Sequence, residues 1–372
     1  MKKTAVVAVC ALAAVNILTG CQKEKVEAMI QPLLSKEVEE QEAVAAKRET
    51  EEAQQTDLYF IDNSIPIQAG ARVAVVTKSK NGQFWDLIHE GMQAAVDAVN
   101  EAYGFKKDEK ITMTFEGPDS ELEVEEQINM LDAVIAENPD VLCVCVSDME
   151  SCQAQLEAAK ENGIPVVAFD SNVSETKLIR AFLASDNFYI GEMAAYRLGT
   201  TIGKMGKVAV FSAPERTHSA RERTDGFLSN IANYTDIEVV EVVYQDQVED
   251  MTAAMQEVLK KYPKLDGVFC NNADVAEMYL DIEKHFTEQR VAMVGVDATT
   301  RQQEAIRNGE EIGVISQQPY LMGYQTIWTA LKATAPKKAG VKIKKQVLFK
   351  PAWMDLKALE NPAYEDYLYK AS

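Results

Sequence analysis

The sequence predicts an α/β protein made of two doubly wound, parallel-sheet lobes, and three observations carry that prediction. From Arg72 onward, short apolar β-rich runs alternate with amphipathic helical stretches, which is the pattern of parallel βαβ units. The alternation comes as two successive series, each long enough for its own sheet. The carboxyl ends of these runs are conspicuously polar, and those ends are where open α/β sheets gather ligands.

The chain begins with Lys2 and Lys3 and an apolar run from Ala5 to Leu18, too short to span a bilayer as a helix. Leu18-Thr19-Gly20-Cys21 closes it, and the segment resembles the bacterial lipoprotein signal. Cleavage is expected before Cys21, whose thiol would carry the lipid. Two acyl chains bury enough CH₂ groups for stable anchoring, so no spanning helix is needed. Residues 22–57 are rich in Glu, Gln, Lys and Ala, lack Gly, and read as a solvated helical stalk with a weak apolar stripe through Val26, Ile30 and Leu33.

The first series of strands is expected near 72–77, 111–115, 141–146, 164–169 and 180–184. Helical patterns lie between them at Leu87 to Ala102, Glu123 to Glu137 and Ser151 to Asn162. The second series is expected near 207–212, 237–244, 267–271, 291–296 and 312–316, again with helices between.

Composition narrows the function. The 372 residues are 47% hydrophobic, enough for two cores, and the net charge of −20 argues against nucleic acid or an anionic membrane surface as partner. Of the six cysteines, Cys10 leaves with the signal and Cys21 takes the lipid; Cys143, Cys145, Cys152 and Cys270 read as core residues rather than a disulfide framework or metal ligands. His89, His218 and His285 are widely separated, which gives no support to a zinc cluster or a histidine triad. No Gly-x-Gly-x-x-Gly follows a strand, and Gly203-Lys204-Met205-Gly206-Lys207 lacks phosphate-loop spacing. The reading is therefore a binding protein, not an enzyme, with no cofactor and no metal.

The strand ends suggest what it binds. VAVV runs into Thr77 and Ser79, VVAF into Asp170, VFC into Asn271 and Asn272, VGV into Asp297, and GVIS into Gln317. Each such residue can equally cap the helix that follows. Together they suit a ligand crowded with hydroxyls, because carboxylates accept pairs of hydrogen bonds while amides and Arg donate in planar pairs. Phe84 and Trp85 could cover the apolar face of a sugar ring, Trp85 being the stronger choice and Phe84 equally readable as core.

From about residue 71 to 355 the chain resembles the periplasmic sugar-binding proteins of the ribose-binding type. The stretches that carry the resemblance are NGQFW at 81–85, GIPVVAFD at 163–170, ASDN at 184–187, SARERTDGF at 219–227, VFCNNADVA at 268–276, VGVD at 294–297 and ISQQPYLMG at 315–323. The resemblance implies a type I periplasmic binding protein fold, with two lobes joined by three chain crossings near Ser185, Gln318 and Leu348. That gives a signal at 1–20, a lipidated stalk at 21–68, one lobe from 69–185 with 318–348, and the other from 186–317 with 349–372.

Carried over position by position, it implies ligand contacts from Asn81, Phe84, Trp85 and Asp170 on one lobe. Arg221, Asn272, Asp297 and Gln317 would contribute from the other lobe and the hinge; Thr77 is a further candidate from its strand end, and Asp246 or Gln247 would give a polar contact where the family's second-lobe aromatic is not evident. Arg221 is expected to hold the ligand and Arg223 to point elsewhere. Ser171 after Asp170 and Ala273 after Asn272 depart from the ribose pattern and argue against ribose itself. The expected protein is an extracytoplasmic, lipid-anchored monomer that delivers a sugar or polyol to the membrane subunits of an ABC importer. The alternative is a sensor that presents its bound form to a membrane kinase or chemoreceptor.

Overall fold

The computed structural model describes residues 58–370 apart from 284 and 286–290; the signal, Cys21 and the stalk to residue 57 lie outside the described residues. The chain runs β1 (Arg72–Val76), α1 (Gln83–Tyr103), β2 (Thr112–Glu116), α2 (Val124–Ala136), β3 (Val141–Val144), α3 (Gln153–Glu161), β4 (Val166–Phe169) and β5 (Ala181–Ser185). It continues with α4 (Asn187–Thr201), β6 (Met205–Ser212), α5 (His218–Ile231), β7 (Asp236–Tyr244), α6 (Met251–Lys261), β8 (Gly267–Cys270) and α7 (Ala273–Glu283). Then come β9 (Ala292–Val296), α8 (Thr300–Asn308), β10 (Gly313–Ser316), α9 (Pro319–Ala333), β11 (Gln346–Phe349), β12 (Ala352–Met354) and the short α10 (Leu356–Leu359).

All ten expected strands form; the inner ones are continuous apolar runs, as buried parallel strands are, while the edge strands β2 and β7 mix apolar with polar residues. The first sheet has the order β11-β5-β4-β3-β1-β2 and the second β12-β10-β9-β8-β6-β7. Every pairing is parallel except β10 with β12. In each sheet the first strand of the series lies inside its successor. The order therefore reverses at β1 and at β6, and such switch points open a crevice beyond the strand ends.

The two edge strands β11 and β12 were not expected, since neither has a continuous apolar run. They record a crossing: Phe349 pairs with Ser185 in the first sheet and Ala352 with Ser316 in the second, with only Lys350 and Pro351 between. The other two connections between sheets run from β5 into α4 and from β10 into α9. Each of these helices is clamped to its neighbour by a reciprocal glycine pair. A Cβ at Gly191 in α4 would stand 2.0 Å from the Arg223 carbonyl of α5, and one at Gly323 in α9 would stand 2.2 Å from the Ile88 carbonyl of α1. Only glycine permits that backbone approach.

Apolar cores cover both faces of the sheets. Leu131, Leu142, Leu156 and Val166 pack together in the first lobe, Phe227 stacks on Phe269 in the second, and Cys143, Cys145, Cys152 and Cys270 are buried and free. Among the described residues no helix is long and apolar enough to cross a membrane, and none cluster as metal ligands.

Candidate ligand-binding cleft

A cavity of about 290 Å³ lies where the carboxyl ends of the two sheets meet. Its first-lobe wall begins just after β1. Thr77 is wholly buried and turns its hydroxyl onto the carbonyls of Ser79 (2.7 Å) and Glu116 (3.1 Å), which fixes the turn. That turn aims Lys78 into the cleft. The Lys78 ammonium, 4% exposed, lies 3.1 Å from Asp170 Oδ2 and 3.4 Å from Glu121 Oε2, and 5.8 Å from the centre of the Trp85 ring. Burial alone would lower its pKa, but the two carboxylates outweigh burial and hold it above the ordinary lysine range. Asp170 is likewise opposed by burial, yet Lys78 and then Arg223 keep its carboxyl below the usual range.

Phe84 and Trp85 occupy the first turn of α1 and line the cavity, their rings edge to face at 5.0 Å. Trp85 is buried; Phe84 is half-buried and lies 6.4 Å from Tyr369 of the tail. Asn81 sits at the exposed rim, its amide donating to the Asp119 carbonyl at 3.1 Å.

The second wall is built round Asp297. Its Oδ1 accepts from Gln317 Nε2 (2.7 Å) and the Tyr369 hydroxyl (2.9 Å), and its Oδ2 accepts from the Ala273 N–H (3.1 Å). Gln317 is 1% exposed, and its Oε1 has no partner from the protein. Asp170 and Asp297 both adopt positive φ, 55° and 81°, so each strand end bends sharply to turn its carboxylate inward. Asp tolerates this left-handed geometry better than most residues.

Neighbouring asparagines divide two tasks. Asn271 is wholly buried and structural: its Oδ1 accepts from the Ala213 N–H (2.8 Å) and its amide donates to Ser212 Oγ (2.6 Å) and Thr224 Oγ1 (3.2 Å). Asn272 lines the cavity while its Oδ1 caps α7 through the Val275 N–H at 3.0 Å.

The lobes meet across the cleft. Lys78 Nζ donates to Ser219 Oγ at 3.3 Å, and Ser171 Oγ accepts from the His218 N–H at 3.0 Å. Gln83 clasps Thr300 twice, accepting from its N–H (2.8 Å) and donating to its hydroxyl (3.1 Å). The arrangement is closed.

Several expectations need correcting. Arg221 is exposed and lies outside the cavity lining, whereas Arg223 is 4% exposed and lines it, so the expected order is reversed. The reason is helix phase: α5 buries Ser219, Ala220, Arg223, Thr224 and Phe227 on one face, and Arg221 falls on the other. Arg223 donates from Nε to Asn187 Oδ1 (2.8 Å) and from Nη1 to the Asn271 carbonyl (2.9 Å). Thr77 shapes a turn and does not face the cavity. Asp246 accepts from the N–H groups of Glu215 (2.8 Å) and Arg216 (3.3 Å), and Gln247 donates to Glu215, so both brace a loop outside the lining.

The sequence reading missed Lys78, Glu121, Gln83, Asp274, Glu277 and Tyr369. Lys78 and Asp274 were within reach, since both lie within two residues of a position already singled out. Tyr369 sits far from any motif.

Comparison with known proteins gives the same picture. Residues 73–338 match the family model described as a periplasmic binding protein domain. The chain belongs to that family. The ribose import binding protein of Bacillus subtilis is 26% identical over 208 residues, 55% of this chain and 66% of the relative, just under two thirds of its length. That of Escherichia coli K12 is 22% identical over 271 residues, 73% of this chain and 87% of the relative. A solved ABC transporter solute-binding protein from Agrobacterium vitis, with bound D-fucose, aligns with a TM-score of 0.73 at 26% identity, covering 80% of this chain and all (100%) of that one. A second from the same organism, with bound α-D-tagatopyranose, shares the fold at a TM-score of 0.72 and 24% identity, covering 81% of this chain and 100% of its own. These relatives and solved structures are named for sugar import or carry bound sugars, and the present chain shares with them the two parallel-sheet lobes of the periplasmic binding protein family.

Proposed function

We propose that the protein captures a small polyhydroxylated molecule, a sugar or polyol, between its lobes and delivers it to the membrane subunits of an ABC importer. The observation that carries this reading is the convergence of polar strand ends from both sheets on one cavity walled by Phe84 and Trp85. Asp170, Asn272, Asp297 and Gln317 offer acceptors and donors to hydroxyls, Arg223 a planar pair of donors, and Asn81 a contact at the rim. Nothing in that set requires a cofactor or a chemical step.

The working boundaries are 69–185 with 318–348 for one lobe and 186–317 with 349–372 for the other, rotating about the three crossings. A ligand touching both lobes favours the closed state by its differential contacts. Calorimetry of the mature protein against pentoses, hexoses, amino sugars and polyols tests the reading. Dissociation constants in the micromolar range or tighter are expected for at least one compound, and failure of all of them would refute it.

Attachment belongs to the same proposal: Cys21 carries a lipid that holds the protein on the outer side of the cell membrane, with residues 22–57 as spacer. A Cys21→Ala protein should leave the membrane fraction or stall before cleavage. A processed Cys21→Ala protein still sedimenting with membranes after a high-salt wash would refute the anchor.

A further inference from the structure

The cleft carries more acid than its bases can balance. Asp170, Glu121, Asp274, Glu277 and Asp297 line it, against Lys78, Arg223 and Arg301. Arg301 is already engaged by Glu310 at 3.3 Å and Asp281 at 3.8 Å, neither of which lines the cavity. Lys78 must serve two carboxylates at once, and it stands nearer to Asp170 than to Glu121. Glu121 Oε2, although buried, accepts no hydrogen bond among the described residues.

Asp274 is the plainest case of imbalance. It opens onto the cavity from the first turn of α7 and has neither hydrogen bond nor ion pair among the described residues. Its side chain is exposed to the open cavity, and Glu121, Asp297 and Glu277 repel its charge while Lys78 alone relieves it. Partial desolvation by the cleft walls and then these three carboxylates push its carboxyl up to about 7. Glu277 already accepts from the Thr299 hydroxyl at 2.6 Å, whereas Asp274 and Glu121 Oε2 hold their acceptor capacity in reserve. Glu121 belongs to the first lobe and Asp274 to the second, so a cation between them would also draw the lobes together.

We infer that the preferred ligand is a polyhydroxylated molecule bearing a positively charged amino group, its ammonium held by Glu121 and Asp274 and a hydroxyl given to Gln317 Oε1. This rests on the sugar-or-polyol reading and names the ligand class within it. A neutral sugar would cover the Asp274 carboxylate and leave Glu121 sharing Lys78 with Asp170, so the excess negative charge would stay uncompensated once ligand displaces water from the cleft. An ammonium supplies three donors and offsets the excess charge.

The test is calorimetry on the mature protein with matched pairs: glucosamine against glucose, galactosamine against galactose, and glucamine against sorbitol. At least one amine should bind about ten-fold or more tightly than its neutral partner, a charge-assisted advantage of the expected size. N-acetylation, which keeps the nitrogen and removes the charge, should abolish that advantage. Asp274→Asn and Glu121→Gln should each bring the amine-to-neutral ratio toward one. Asp274→Asn removes charge from a mutually repelling set without breaking an ion pair, so its melting temperature should not fall, and it is the variant that keeps the test independent of folding. Amine binding at pH 7 should also release protons, read from buffers of different ionisation enthalpy, because the ammonium pulls the Asp274 carboxyl down. Neutral compounds binding as well as or better than their amines, with Asp274→Asn without effect, would overturn this inference and leave the sugar-or-polyol reading standing. Failure of every compound would overturn both.

Discussion

Asp170 in the first lobe and Asp297 in the second occupy matching places. Each follows the strand whose end reaches the cleft, each has positive φ, and each turns a carboxylate inward. Their neighbours differ. Asp170 is met by an ammonium, Lys78, at 3.1 Å, while Asp297 is met by an amide, a phenol and a backbone N–H. An ion pair fixes charge as well as position, so removing one member leaves the other stranded. A neutral cage spreads the same work over three modest bonds, and losing one leaves two. The two buried cations differ in the opposite sense: Lys78 is ion-paired with two carboxylates, whereas Arg223 hydrogen-bonds neutral oxygens and acts on Asp170 only through its charge.

The largest effect should come from breaking the charged wall. Lys78→Met leaves Asp170 and Glu121 without their shared cation, and chemical denaturation should show a loss of about 3–5 kcal/mol. Asp297→Asn, which keeps the shape of the neutral cage, should cost only about 1–2 kcal/mol. Equal losses would erase the contrast between the walls. The pH dependence follows from the two shifts. Asp170 is held below its ordinary 3.8, so its contribution is present above that value and fades as pH falls through the lower folded pKa. Lys78 is held above its ordinary 10.5, so its contribution is complete below that value and fades only as pH rises past it. Wild-type stability from this pair should therefore be flat between about 4 and 10, while the Lys78→Met defect should shrink as acid protonates the stranded carboxylates. A defect that stays constant down to pH 4 would mean that packing, not charge, is what Lys78 supplies.

A smaller effect should sharpen the comparison of the cations. Arg223→Ala removes a buried guanidinium from the cleft, and ligand affinity measured by calorimetry should fall by roughly ten- to a hundred-fold, the span of one charge-assisted hydrogen bond. Arg221→Ala, on the exposed face of α5, should change affinity by less than about two-fold. The reverse order would restore the sequence-based choice.

That choice shows where the sequence was legible. The ten strands from Arg72 to Ser316 could be read because buried parallel strands are marked by composition alone, and the polar strand ends because a sheet must stop at its crevice. Of the four edge strands, β11 and β12 are the short ones, four and three residues long, and carry no such mark. Asp170, Asn272, Asp297 and Gln317 all reach the cavity because each leaves a strand directly into the switch point. Arg221 and Arg223 could not be ranked in that way. Two residues apart on a helix, they point to nearly opposite sides, and only the glycine contact between α4 and α5 sets which side faces the ligand. Glu121 was opaque for a related reason, since a charge run near a loop reads as solvated surface until the second lobe covers it.

Tyr369 lies later in the chain than every other residue of the cleft, yet its hydroxyl supports Asp297, its N–H donates to the Ala298 carbonyl at 3.1 Å, and its carbonyl accepts from Gln303 at 2.7 Å. Proteins are made from the N-terminus onward, and domains fold largely in that order. Both sheets can thus be nearly complete while Asp297 still lacks one of its three donors. Competence to hold a ligand arrives with the final segment, so a chain interrupted just short of Tyr369 would look folded by its secondary structure and still bind poorly.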